Sequence, residues 1–143
     1  MSKRILFTGA SGFIGANVIG YMLQNTDWSI AGIENWRVGN KANSHRLKNV
    51  FSNLTDEQLS RFKLINWDLT HPFTPSIVKE IQSHDINCVI NMASDSHVTR
   101  SIKEPGRCWH NNCALIYNML ELARELELER FVQISTDEVY GVS

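Results

Sequence analysis

The sequence predicts an α/β fold, a doubly wound parallel sheet of about five strands. Three observations predict it. Short apolar runs fall at residues 4–8, 29–34, 62–67, 88–92 and 130–135 of the 143. They are near-continuous rather than alternating, as strands buried on both faces of a parallel sheet are. Segments of helical spacing separate them, which predicts right-handed crossovers between neighbouring parallel strands. The first run then passes straight into a glycine-rich turn, Gly9-Ala10-Ser11-Gly12-Phe13-Ile14-Gly15, that opens the first helix. The expected strand order is 3-2-1-4-5, with the fifth strand an exposed edge.

Each element has its own signal. The first helix, residues 12–24, places Phe13, Ile14, Val18, Tyr21 and Met22 near helical spacing. Residues 35–59 are longer and more polar and predict a loop with one or two short helices. Residues 75–83 predict a short helix with Thr74 in the capping position. The longest helix, residues 109–127, carries the stripe Leu115, Ile116, Met119, Leu122 and Leu126. Trp28, Trp36, Trp67 and Trp109 read as packing or surface aromatics.

Composition excludes several functions. Hydrophobic residues make up 43% and charged residues 20%, with a net charge of -1. That is an ordinary globular balance, and no basic stripe points to nucleic acid or an anionic membrane. No apolar run is long enough to span a bilayer, and the apolar stretch at residues 5–7 is too short for a signal peptide. A cytoplasmic protein is expected. Cys88, Cys108 and Cys113 form neither a disulfide framework nor a metal spacing. Cys88 reads as a core residue and the other two as free thiols, and no metal site is expected.

The chemistry gathers at strand ends, where open α/β sheets keep their ligands. The turn has the spacing Gly-x-x-Gly-x-x-Gly, with Gly9, Gly12 and Gly15 at its fixed positions. Its N–H groups and the helix dipole suit a pyrophosphate, so Gly9, Ser11, Gly12, Phe13, Ile14 and Gly15 are expected to hold a dinucleotide. Glu34 ends the second strand, with Asn35 beside it, where an acidic residue accepts hydrogen bonds from the adenosine ribose. Its charge favours NAD over NADP, an effect the nearby Arg37 tempers. Asp68 and Leu69 end the third strand. Asp68 is placed to accept from the adenine amino group, and equally to cap a turn. After the fifth strand comes Ser135-Thr136-Asp137-Glu138-Val139-Tyr140-Gly141, a hydroxyl and two carboxylates where a buried strand emerges.

With these pieces placed, the chain resembles the extended short-chain dehydrogenase/reductase superfamily, whose cofactor domain is of the Rossmann type. Within it the chain looks most like the NAD-dependent nucleotide-sugar 4,6-dehydratases, the dTDP-glucose 4,6-dehydratase family. The glycine turn is common to the superfamily. Residues 91–102, from Asn91 to Ile102, resemble a segment typically reading His-Leu-Ala-Ala-Glu-Ser-His-Val-Asp-Arg-Ser-Ile, with Asn91, Ser94 and Thr99 as departures. Leu115 stands where a helix glycine is usual. Residues 135–141 match the dehydratase pattern fully.

The resemblance implies roles. Ala93, Ser94 and Asn112 would lie on the cofactor side, and Ser96, His97 and Val98 on the loop toward the sugar. Thr136 would hydrogen-bond the sugar C4 oxygen, Asp137 would protonate the C6 hydroxyl, and Glu138 would take the C5 proton. The substrate would be a nucleotide-diphosphate sugar, oxidised at C4, dehydrated across C5 and C6 and reduced at C6. The superfamily's Tyr-x-x-x-Lys pair is not found, since neither Tyr21, Tyr117 nor Tyr140 has a lysine four residues on. The expectation is a 4,6-dehydratase truncated after its fifth strand, inactive alone. The alternatives are a standalone NAD-binding module, working as a homodimer or docked on a partner chain through the fifth strand and residues 109–126, and an epimerase of the same superfamily.

Overall fold

The structure is a computed structural model, and it describes residues 2–36 and 40–141. Arg37 lies outside the described residues. Five strands form one parallel sheet in the order β3-β2-β1-β4-β5. They are β1 (Arg4–Thr8), β2 (Ser29–Glu34), β3 (Phe62–Asn66), β4 (Cys88–Asn91) and β5 (Arg130–Gln133). The helices are α1 (Phe13–Asn25), α2 (Asn40–Phe51), α3 (Asp56–Ser60), α4 (Pro75–Gln82), α5 (Val98–Lys103) and α6 (Pro105–Glu125). A one-turn 3-10 helix, Asp137–Tyr140, follows β5. The doubly wound sheet and its strand order agree with the sequence reading.

Alternation along the strands builds two cores. On one face Leu6, Ala31, Ile33, Ile65 and Val89 meet Val78 and Ile81 of α4 and Leu115, Met119 and Leu122 of α6. On the other, Ile5, Phe7, Ile30 and Cys88 meet Ile19 and Leu23 of α1 and Leu54. Each large side chain buried this way contributes up to about 1.5–3 kcal/mol. Burial also pushes the Cys88 thiol above its ordinary pKa, which keeps it protonated in the core. The α6 stripe is therefore spent inside the fold, not offered for docking. The apolar groups that α6 leaves exposed are Trp109, Tyr117 and Leu120.

The stripe expected on α1 is a correction. Phe13, Ile14 and Tyr21 face outward, while Gly15, Ala16, Ile19, Gly20 and Leu23 are buried. Val18 and Met22 pack at the margin of the core. Contact distance, not hydrophobicity, selects this face. A Cβ on Gly15 would lie 2.2 Å from the Gly9 carbonyl oxygen, so only glycine lets α1 rest on its own turn. At the far end, Arg61 donates to the carbonyls of Leu23, Thr26 and Trp28 at 2.6–2.8 Å. It satisfies carbonyls at the helix terminus with a favourable charge.

Two helix boundaries also differ from expectation. α6 starts at Pro105, four residues early, with proline in the first turn, where its missing N–H costs nothing. Val98, expected on a loop, is the first residue of α5. Thr74 does sit at the N-terminus of α4, but its hydroxyl bonds Ser76 Oγ at 3.0 Å rather than a helix N–H.

Gly15→Ala must move backbone, because the atom it meets is a carbonyl oxygen. The expected loss of stability is about 1–3 kcal/mol, read from urea unfolding. A variant as stable as the native chain would show that the contact between α1 and its turn is loose.

Candidate functional site

β1 to β4 end at one edge of the sheet, and their ends surround an open cleft of about 470 Å³. The glycine turn forms one wall. Gly9 has φ +70 and lies against the loop after β4, where a Cβ would sit 3.1 Å from Ala93 Cα. Its N–H and that of Ala10 donate to the Ile33 carbonyl at 3.1 and 3.3 Å, fixing the turn to the end of β2. Gly12, Phe13, Ile14 and Gly15 line the cleft. Phe13 and Ile14 are 73% and 60% exposed, consistent with helix residues that face a ligand space instead of the core.

Glu34 lines the same wall and is tightly held. One carboxylate oxygen accepts from the N–H of Ser11 at 3.1 Å and from the Ser11 hydroxyl. The other accepts from the N–H groups of Asn35 and Trp36 at 3.1 and 3.3 Å. Four donors fill the sites a carboxylate offers. Ser11 is wholly buried beneath the turn, so it positions Glu34 rather than lining the cleft. Arg46 of α2 closes this corner, donating to the Ser11 carbonyl at 2.9 Å with its guanidinium over the Phe13 ring.

The second wall is the end of β3. Trp67, Asp68, Leu69 and Thr70 line it. Asp68 Oδ1 accepts from the N–H and hydroxyl of Thr70 at 3.0 and 2.8 Å, an Asx turn that leaves the carboxylate at the cleft. Asn118, buried on α6, donates to the Leu69 carbonyl at 2.8 Å and ties this loop to the helix.

The third wall is the loop after β4. Thr8 sets its path. Its hydroxyl donates to Asn91 Oδ1 at 2.7 Å and accepts from the N–H groups of Met92 and Ala93, both at 3.0 Å. Asn91 in turn donates to Gln133 Oε1 at 2.8 Å, so β1, β4 and β5 are linked through side chains. Ala93, Ser94, Ser96 and His97 reach the cleft. Asn112 lies behind it, accepting from the Asp95 N–H at 2.8 Å and donating to the Asp95 carbonyl at 3.2 Å. It holds the loop and lines nothing. Val98 also stays outside the lining.

The structure thus gathers Gly9, Gly12, Phe13, Ile14, Gly15, Glu34, Asn35, Asp68, Leu69, Ala93, Ser94, Ser96 and His97 around one space. It does not bring Thr136, Asp137 and Glu138 to the cleft lining. They follow β5 in exposed positions, with Thr136 Oγ1 accepting from the Glu138 N–H at 3.3 Å to cap the 3-10 turn. That turn supplies the backbone bend that two adjacent carboxylates need if both are to face one substrate. Sequence reasoning missed Trp67, Asp95, Arg100 and the row Arg107, Asn111, Leu115. The row was detectable, because its spacing of four places it along one face of α6. Arg107 bonds Glu104 at 2.9 Å, which raises the guanidinium pKa through the hydrogen bond and the carboxylate charge.

A glycine turn beneath a helix N-terminus, a carboxylate ending the next strand, and a 3-2-1-4-5 parallel sheet define the cofactor half of the extended short-chain dehydrogenase/reductase class. A family model described as GDP-mannose 4,6 dehydratase matches residues 6–143, and the chain belongs to that family. It is 30% identical over 137 residues to the low-salt glycan biosynthesis protein Agl12 of Haloferax volcanii, covering 96% of this chain and 40% of that protein. It is 30% identical over 147 residues to dTDP-glucose 4,6-dehydratase 1 of Escherichia coli K12, covering 96% and 38%. Among solved structures, a UDP-glucuronic acid 4-epimerase variant from Bacillus cereus, in complex with NAD and a fluorinated UDP-sugar, superposes with a TM-score of 0.78 at 28% identity, covering 98% of this chain and 42% of that one. A UDP-glucose-4-epimerase from Stenotrophomonas maltophila, with bound NAD, gives 0.80 at 18% identity over 99% and 39%. The chain therefore spans about two-fifths of the length of the relatives it matches. The resemblance to dTDP-glucose 4,6-dehydratases read from residues 91–102 and 135–141 agrees with these findings.

Thr8→Val keeps the shape of the side chain and removes the oxygen that two backbone N–H groups share. Leaving those donors unpaired is expected to cost about 2–3 kcal/mol. Urea unfolding reads the loss, and amide exchange at Met92 and Ala93 should speed up more than exchange in β2. Unchanged exchange at those two amides would mean that the hydroxyl does not shape the loop.

Proposed function

We propose that the chain is the cofactor-binding part of an NAD-dependent nucleotide-sugar 4,6-dehydratase of the dTDP-glucose 4,6-dehydratase kind. One observation carries the reading most: the turn at the start of α1, with no side chain at Gly9, Gly12 and Gly15, packs against Ala93 on one side and is hydrogen-bonded through Ser11 to Glu34 on the other. A dinucleotide fits this donor set. Free N–H groups at a helix N-terminus suit its phosphates, and Glu34 suits a ribose diol. Binding has to exchange one of the four donors on Glu34, and the Ser11 hydroxyl is the one that can rotate away.

When bound, NAD supplies a hydride acceptor and donor. The chain's own residues do the rest. The turn fixes the pyrophosphate, and Ala93 and Ser94 border the cofactor while Ser96 and His97 border the sugar. Thr136 hydrogen-bonds the C4 oxygen. Glu138 takes the C5 proton once C4 is a ketone and C5 is acidic, and Asp137 gives its proton to the departing C6 hydroxyl. Deprotonating the C4 hydroxyl needs a further base, for which these 143 residues hold no Tyr-x-x-x-Lys pair. Cytoplasmic nucleotide-sugar metabolism suits this reading, and no helix among the described residues is long and apolar enough to cross a membrane.

A second reading is a nucleotide-binding module that docks on its own copy or on another chain. It is favoured by the exposure of Val132 on β5, of Ile134 just past it, and of Trp109 and Tyr117 on α6.

Calorimetry with NAD and product analysis with dTDP-glucose test the proposal. The expected result is saturable NAD binding without formation of a 4-keto-6-deoxy sugar by this chain alone. No binding at millimolar NAD would overturn the cofactor reading, and dehydration by this chain would overturn the need for another base. In Glu34→Gln the repulsion of a 2′-phosphate is removed. NADP affinity relative to NAD is then expected to rise roughly tenfold. An unchanged ratio would place the ribose elsewhere.

A further inference from the structure

Thr8, Asn91 and Gln133 are partners in the sheet register, each the last residue of its strand, β1, β4 and β5. Register partners on neighbouring strands present their side chains to the same face, so the three form a polar row at one edge of the sheet. The row has a single direction. A hydroxyl has two acceptor sites and one proton. The N–H groups of Met92 and Ala93 occupy the acceptor sites of Thr8, so its proton goes to Asn91 Oδ1. That leaves Asn91 Nδ2 to face β5, where it donates to Gln133 Oε1. Gln133 Nε2 ends the row, and it donates to the Ile134 carbonyl at 2.7 Å.

This last bond mends a break in the ladder. The Ile134 N–H donates to the Asn91 carbonyl at 3.0 Å, which carries the β4–β5 pairing one residue past β5. In a parallel ladder, a residue that donates to Asn91 accepts from the residue two positions further on, here Ala93. The Ala93 N–H is bonded to Thr8 instead. The hydroxyl that bends the loop after β4 has therefore taken the strand partner of the Ile134 carbonyl, and Gln133 supplies a replacement donor from the same strand. That carbonyl belongs to the peptide joining Ile134 to Ser135, and a peptide is planar. Holding its oxygen sets the direction in which the chain leaves the sheet toward Thr136, Asp137 and Glu138.

We propose that Gln133 is a positioning residue, whose side-chain amide fixes the Ile134–Ser135 peptide and so ties the turn carrying Asp137 and Glu138 to the loop after β4. This rests on the dehydratase reading above, in which that turn does the chemistry and that loop borders the cofactor and the sugar. One row of hydrogen bonds then sets both segments.

The test is by NMR on the full 143-residue chain and its variants Gln133→Glu and Gln133→Met. Glutamate keeps the size of the side chain and the acceptor that faces Asn91, but at neutral pH it has no proton to donate. Methionine has neither group and no charge. In both variants the Ile134 carbonyl carbon is expected upfield of its native position, and the amide resonances of Thr136, Asp137 and Glu138 are expected to move. Exchange of the Ile134 N–H should be about threefold to tenfold faster, the range of one hydrogen bond, with the amides of β2 unchanged. An unmoved Ile134 carbonyl in either variant overturns the proposal. So does a moved carbonyl with the three turn amides still in place, since the bond would then hold nothing beyond itself. In the native chain, one Gln133 side-chain amide proton should exchange about threefold to tenfold more slowly than in an unstructured peptide. Equal exchange overturns the proposal even if both variants fail to fold. The dehydratase reading fails on a different measurement, the absence of NAD binding to the native chain, which leaves these resonances as they are.

Discussion

The hydroxyl of Thr8 is the contact on which the rest of the site depends. It is fully buried at the end of the central strand, and it bonds three groups of the neighbouring one: the Asn91 side chain and the N–H groups of Met92 and Ala93. A strand that leaves a sheet has backbone donors with no next partner, and here a side chain provides one. The loop is drawn toward β1, which brings Ala93 against Gly9. A Cβ at residue 9 would sit a tight 3.1 Å from Ala93 Cα, and its φ of +70 is one that L side chains rarely adopt, so glycine is favoured at that point of the turn. A turn with glycines facing a helix N-terminus is what an anionic ligand can approach. One buried hydroxyl and one missing side chain therefore create the binding wall together.

The same closeness decides which face of α1 is buried. Small residues at 15, 16 and 20 bring the helix down on the turn and the sheet, and the larger apolar residues are turned away. Phe13 and Ile14 consequently stand in the cleft, where they shape the ligand space. Hydrophobicity scores rank these two residues above glycine and alanine, so a stripe read from hydrophobicity lands about half a turn off. Packing distance is a property of two elements at once and is not written in either alone.

What was legible follows from this distinction. Strands buried on both faces need near-continuous apolar sequence, so Ile5 to Phe7, Ile30 to Ile33 and Cys88 to Ile90 announce themselves, and with them the sheet order. The glycine spacing and Glu34 were legible because their roles depend on local chain geometry. α5 was not, since Val98, Thr99 and Ile102 favour strands as much as helices. Asn91 and Asn112 were visible only as family positions. Their work, an amide linking β1 to β5 and another clamping the Asp95 backbone, comes from contacts between residues far apart in sequence. Trp67 packs on Phe73 and the core as read, and only its buried, unpartnered indole N–H could not be seen in the sequence.

The two halves of the chemistry are held with unequal firmness. The glycine-turn wall of the cleft is built between β1, β2 and β4, each paired on both sides, and its polar groups are buried or multiply bonded. The segment 135–141 extends from β5, an edge strand paired only with β4. One of its faces is covered through Phe131, while Val132 and Ile134 on the other are 37% and 43% exposed. Its side-chain tie to the rest of the sheet end is Gln133 to Asn91, and past that point Thr136 bonds its own turn. Catalysis by paired carboxylates demands positions fixed to a fraction of an ångström. The proposed cofactor site rests on what these strands fix, whereas Asp137 and Glu138 stand exposed on a turn that follows an edge strand.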